Sequence, residues 1–275
     1  MIISRCRVRI SLIGILFNLI FFISAGTAGD ILDNLHQDTK HFLRVGIGLA
    51  KAPLYWQASD WTYAGVTIGA TGGLFFIDKS GRSFALHNQN NLNDHLFRID
   101  RYYGNPNTIL LPTAVYLTGW LAGNGKLRHT GLQALEALIY AGGFSAIIKG
   151  LLGRRRPYAG DSNLYFKPFH YSDFDYRSLP SGHATVAVTV ATVFAHAVDN
   201  KIWKIFWYGT AGWVAASRIY HNKHWLSDVF LGSAIGYGIG SFIVNFDTVG
   251  KNRSDFLNLQ LNPLTNRIGI CFSIP

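Results

Sequence analysis

Six apolar segments recur along this chain, at residues 62–77, 108–123, 131–152, 184–198, 205–217 and 229–246. Apolar runs of that length are read as helices, and a chain with six of them must bury or immerse a large apolar surface. Several are short for a bilayer span of about 20 residues. They are rich in Gly, Ala, Ser and Thr, which permits close helix contact in a membrane and equally suits the core of a soluble bundle. The composition, 49% hydrophobic and 15% charged over 275 residues, is more apolar than most soluble proteins and favours membrane embedding. The expected fold class is all-α, a bundle of about six apolar helices with its functional site at one end. Between the first two segments, "KSGRSFALHNQNNLNDHLFRIDRYYGNP" reads as a loop carrying a short surface helix. In the tail, Ile268, Ile270, Phe272 and Ile274 alternate beyond an Asn-Pro turn, the pattern of a short β-like hairpin.

The N-terminus has a different character. Arg5, Arg7 and Arg9 precede an uncharged run at 10–29 that ends in the small residues "SAGTAG", so 1–28 reads either as an export signal or as an uncleaved N-terminal anchor. The expected organisation is 1–28 leader, 29–248 helical-bundle domain, 249–275 tail. Loss of the leader would remove three arginines from a chain of net charge +10, so the mature protein stays basic. Cys6 would leave with it and Cys271 would have no partner, which excludes a disulfide scaffold. Against 25 basic residues stand 15 acidic ones, of which Glu136 is the sole glutamate. That balance points to an anionic partner, yet nucleic acid, lipid headgroups and small phosphates are drawn by the same field.

Three polar constellations interrupt the apolar pattern. In "KGLLGRRRPY", Lys149 lies one turn from the end of an apolar helix, where an ammonium is costly unless it reaches water or meets an anion. Arg156 follows the bend at Gly153, and Pro157 fixes the backbone beyond. The plainer reading is a membrane-flanking basic cluster, which is the reading given to Arg154 and Arg155. In "SLPSGHATVAV", Pro180 stops any helix before it and Ser181 caps the one after. The N–H groups of Ser181, Gly182 and His183 can then converge on an anion, although Ser-Gly before a helix is also ordinary capping. In "SRIYHNKHWLSDVFLG", His224 and Asp228 share a face if one helix includes both. The carboxylate would then hold one ring nitrogen and leave the other aimed outward. Arg218 offers a fork for two phosphate oxygens, or else an interfacial anchor. His221 and Lys223 read as rim residues.

The order and spacing of these motifs, Lys149 with Arg156-Pro157, then Pro180-Ser181-Gly182-His183, then Ser217-Arg218 with His224 and Asp228, resembles the type 2 phosphatidic acid phosphatase superfamily. That superfamily includes lipid phosphate phosphatases, bacterial class A acid phosphatases and vanadium-dependent haloperoxidases. All three motifs are matched without substitution. The resemblance implies that His224 is a nucleophile forming a phosphohistidine, oriented by Asp228, with His183 protonating the leaving oxygen. Lys149, Arg156, Arg218, Ser181 and Gly182 would hold the phosphoryl group. Phosphoryl transfer asks mostly for in-line positioning and positive charge around equatorial oxygens, so the residues fit it without a metal or other cofactor. The leading expectation is a phosphatase acting on a lipid-linked phosphate or pyrophosphate at the bacterial inner membrane, with a periplasmic active site. A soluble periplasmic acid phosphatase of broad specificity and a vanadium haloperoxidase are the alternatives. No nucleic acid and no protein partner is expected. Tyr158, Tyr165 and Phe169 are the expected rim of the substrate entrance.

Overall fold

The computed structural model describes residues 28–170, 173–256, 260–261 and 268–269, with side chains at 32–170 and 173–246. The expected leader, apart from Ala28, lies outside the described residues, as do both cysteines. Nine helices are present among them: α1 Ala28–Lys51, α2 Ala58–Leu74, α3 Asp78–His87, α4 Asn91–Leu96, α5 Leu110–Leu121, α6 Gly125–Leu152, α7 Gly182–Ala197, α8 Lys201–Tyr220 and α9 Leu226–Phe256. The all-α class holds, and all six apolar segments fall on helices. Beyond the six segments stand α1, whose apolar residues alternate with charges, and α3 and α4, two short helices where one was expected in the loop. In the tail, Gln260 and Leu261 pair antiparallel with Gly269 and Ile268.

Local chemistry sets the boundaries. Asparagine side chains cap three helices, Asn124 accepting from the Leu127 N–H, Asn200 from Trp203 and Asn90 from Asn93, each at 3.0 Å. Gly153 stops α6 in the left-handed region at φ 59°, where a Cβ would stand 1.8 Å from the Lys167 carbonyl oxygen. That stop is what frees the basic run after α6 to turn back over the bundle.

Helix α7 is the central element, packed by α6, α8 and α9. Its Val190, Val193 and Phe194 join Ala134, Ala137 and Ala141 of α6, Ile239 and Ile243 of α9 and Val45 of α1 in the main core cluster. Burial of each of the larger side chains contributes roughly 1.5–3 kcal/mol. Close contact between α7 and α9 follows from a glycine stripe. A Cβ on Gly232 or Gly236 would meet the carbonyls of Ser181 and Thr185 at 2.6 and 2.4 Å, and one on Gly240 would meet Thr192 at 2.8 Å. The facing threonines of α7 satisfy their hydroxyls on their own helix, Thr185 donating to Ser181 O and Thr189 to Thr185 O.

Helices α6 to α9 run up, down, up and down. The end of α6, the start of α7, the end of α8 and the start of α9 therefore lie at one end of the bundle, and these are the four places where the polar motifs fall. Among the described residues, α6 and the part of α9 at Leu226–Phe246 are long and apolar enough to cross a membrane; α7 is apolar but has only 16 residues. Exposed Ile139, Phe144 and Ile147 on α6 and Ile202, Ile205 and Phe206 on α8 form apolar outer faces.

Candidate active site

The motif residues converge. His224 is buried and senses the charges of Lys149, Arg156, Arg218 and His183. Its position does not come from sharing a helix with Asp228. Helix α9 begins at Leu226, so His224 sits in the turn before it, and its backbone N–H donates to the Arg218 carbonyl at 3.2 Å. One turn thus ties the third cation to the second histidine. Lys149 reaches across to the strand-like segment before α7, its Nζ donating to the carbonyls of Arg177 at 3.1 Å and of Pro180. Ser181 is the N-cap residue of α7, as expected, but its hydroxyl caps nothing.

Four buried polar atoms of these motifs have no hydrogen-bond partner among the described residues: Ser181 Oγ, Arg156 Nε, Arg218 Nε and His224 Nδ1. Buried polar groups are nearly always satisfied, so four such atoms at one end of a bundle mark a place built for a polar guest. Gly182 belongs to the same place. A Cβ there would make only ordinary contacts, 3.6 Å to Lys149 Cε and 3.9 Å to Ser145 Oγ, so packing within the protein does not require glycine.

Electrostatics point the same way. Burial, then the charges of Lys149, Arg156, Arg218 and His183, hold the proton affinity of His224 well below the ordinary histidine range. His183, in the first turn of α7, is pulled down to about 4 by burial first, then Arg218, Arg156 and Lys149, with Asp100 opposing. Both rings are therefore neutral at pH 7. An oxyanion among the three cations would offset their charge and so raise the proton affinity of both rings.

Three expectations need correction. Arg154 is not a membrane-flanking cation: it is fully buried. Its five N–H groups donate to Asp78 Oδ2 (2.7 Å), Asp228 Oδ1 (2.7 Å), Ser227 Oγ (2.6 Å) and, twice, to the Asn163 carbonyl (2.9 and 2.6 Å). Nor is the Arg218 fork wholly free for an anion, because one of its terminal nitrogens makes an ion pair with Asp100. Asp228, finally, does not accept a hydrogen bond from His224. Its Oδ2 lies 3.6 Å from Nδ1 and is taken by Ser178 Oγ at 2.5 Å and the Trp225 N–H at 2.9 Å. The His221 Nε2 lies 3.0 Å from the Phe97 carbonyl, and the Lys223 ammonium stands over the Tyr158 ring at 4.6 Å. Tyr158, Tyr165 and Phe169 are exposed.

Residues that sequence reasoning missed are Asp78, Asp100, Arg154 and Ser178. Asp78 had one available signal, a lone carboxylate directly after the apolar run "GGLFFI". Asp100 had none, since its partner is 118 residues away.

Fold and site together define a helical bundle with three cations, two histidines and a helix N-terminus gathered at one end. Residues 130–249, somewhat under half of the chain, match the PAP2 superfamily. The lipid A 1-phosphatase of Porphyromonas gingivalis is 31% identical over 115 residues, covering 40% of this chain and 21% of that protein, so the chain spans about a fifth of the relative's length. Among solved structures, the first transmembrane PAP2-type phosphatidylglycerolphosphate phosphatase from Bacillus subtilis aligns over 77% of this chain and 96% of its own, with a TM-score of 0.51 and 19% identity. That likeness is one of fold. Aquifex aeolicus LpxE aligns over 60% of this chain and 92% of its own, with a TM-score of 0.45 and 21% identity.

Proposed function

We propose that this chain is a metal-independent membrane phosphatase that removes phosphate from a lipid-linked monoester or pyrophosphate. The observation that carries the reading is the convergence of Lys149, Arg156, Arg218 and His183 on buried, neutral His224. The free lone pair of His224 attacks phosphorus in line, and the P–O bond to the lipid breaks as His183 delivers a proton to the leaving oxygen. Water, losing its proton to His183, then attacks the phosphohistidine and releases inorganic phosphate. Throughout, the three cations with Ser181 Oγ and the Gly182 backbone hold the equatorial oxygens, where charge is greatest in the transition state.

The lipid substrate is favoured by the PAP2 match, by two helices able to cross a bilayer and by the exposed aromatic rim at Tyr158, Tyr165 and Phe169. We take 29–248 as the catalytic unit and place its site on the periplasmic face, which a reporter inserted at 159–169 tests: a reporter active only in the cytoplasm rejects that placement. The function is tested by phosphate release from a panel of lipid phosphates in chelator, comparing wild type with His224→Ala. Turnover should survive EDTA and fall by at least ~10³-fold in the variant, as for loss of a catalytic nucleophile. Activity that persists in His224→Ala, or that EDTA abolishes, overturns the assignment.

A further inference from the structure

We propose that Arg154 and Asp78 are positioning residues for the nucleophile, forming with Asp228 a buried chain of alternating charge that fixes and polarises His224. The inference rests on the reading of His224 given above and adds two residues to which the three motifs assign no role.

The chain begins at Asp78, the first residue of α3, which is fully buried and accepts from the Ser227 N–H at 2.9 Å and the Ser227 hydroxyl at 2.7 Å. It passes through the Arg154 guanidinium, which bridges Asp78 Oδ2 to Asp228 Oδ1. The cation is boxed by aromatic rings, with Phe75 at 4.2 Å and Trp225 and Phe166 at 5.7 and 5.8 Å. Such a guanidinium has no freedom to leave, and every donor it owns is used. It therefore dictates where the Asp228 carboxylate sits.

Asp228 in turn acts on His224 in two ways. Its Oδ2 accepts the N–H of Trp225, the residue after His224, and Trp225 is pinned at its other end by Nε1 donating to the Arg155 carbonyl at 3.0 Å. The same oxygen stands 3.6 Å from His224 Nδ1. Other charged or titratable groups acting on that ring are Lys149 of α6, Arg156 beyond it, His183 of α7 and Arg218 of α8, all cationic or neutral. Asp100 faces Arg218 and stands 3.7 Å from His221. The Asp228 carboxylate is thus the negative charge nearest the ring, and Arg154 reduces it while Asp78 restores it. A phosphohistidine carries positive charge on its ring, so the balance along this chain bears on the chemical step rather than on capture of the anion.

The test uses the full chain in detergent. Asp78→Asn keeps the size but removes one negative charge and sets an amide donor against either the Ser227 N–H or the Arg154 guanidinium, so kcat should fall about ten- to a hundredfold, in line with loss of a group that orients an active residue. KM and the affinity for vanadate should stay within about threefold. The acid limb of kcat should move to lower pH, since a less negative surrounding disfavours the imidazolium. Arg154→Lys keeps the charge but loses the five-donor fork; kcat should fall while the limb stays in place. A folded Asp78→Asn protein with wild-type kcat and limb overturns the inference; should that variant not fold, a folded Arg154→Lys protein with wild-type kcat does the same. Titration of ring-¹⁵N-labelled histidine separates the two readings. If wild type releases no phosphate from any lipid, the function fails, and a downward shift of the His224 titration in Asp78→Asn still supports the chain, whereas an unmoved titration sinks it.

Discussion

Arg154 and Arg156 stand two residues apart in one basic run and have opposite fates. Arg154 is sealed in an aromatic box with all five N–H groups engaged and carboxylates on two sides. Arg156 keeps its Nε without a partner and makes no ion pair among the described residues; its guanidinium carbon stands 5.9 Å from the centre of the Tyr158 ring. Gly153 turns the chain, Arg154 bridges to Phe166, and the Arg156 N–H donates to the Asp175 carbonyl at 2.7 Å. A guanidinium whose donors are all satisfied within the protein holds the fold. One left incompletely satisfied at a buried site is available to a ligand.

Exchange of each arginine for methionine should break this contrast most sharply. Arg154→Met leaves Asp78 and Asp228 buried against each other without their cation, and removal of one partner of a buried ion pair costs about 3–5 kcal/mol. The checks are thermal unfolding and yield in detergent. Arg156→Met should leave thermal stability near wild type yet lower kcat/KM on a lipid phosphate by about 10²–10³-fold, as for loss of one transition-state donor. Reversed outcomes, an inert Arg154→Met and an unfolded Arg156→Met, would break the comparison.

Anion binding sharpens it next. Vanadate or phosphate at a hundred times Kd should stabilise wild type by about 2.7 kcal/mol, an increment that Arg156→Met loses and that a rise in melting temperature reports. Gly182→Ala probes the cradle from the backbone side. An added methyl meets only ordinary contacts within the protein, so stability should hold while activity drops about tenfold through crowding of the phosphoryl group.

A further effect is the pH dependence of stability without ligand. His183 and His224 have folded proton affinities below their unfolded value of about 6.5. Below pH 6.5 the unfolded chain binds more protons than the native one, so stability is full above that pH and declines as pH falls toward the folded values. The slope approaches about 1.4 kcal/mol per pH unit for each histidine. Saturating phosphate should flatten it, because the bound anion raises both affinities.

Much of the cradle was legible in the chain because its residues come from short motifs at helix ends, and an alternating bundle must bring such ends together. Lys149, Arg156, His183, Arg218 and His224 needed only that topology. The box was not legible. Arg154 pairs with Asp78 and Asp228 across 76 and 74 residues, and no local period connects a loop arginine to a carboxylate so far away. Arg155 and Arg156 directly after it made an exposed cluster the simpler reading. The His224–Asp228 relation was half legible. A spacing of four suggests one helical face, yet α9 starts after His224, and the carboxylate holds the Trp225 N–H instead of the ring. Helix α1 escaped notice because its charges interrupt the apolar pattern that reveals the other long helices.

The central claim is that far-separated segments enclose one tetrahedral oxyanion beside His224. A structure with vanadate bound tests it most directly. Vanadium should lie in line with the ring nitrogen of His224, with Lys149, Arg156, Arg218, Ser181 Oγ and the Gly182 N–H on its oxygens and His183 on the opposite side. Vanadate bound elsewhere, or held there without contact to His224, would contradict the account.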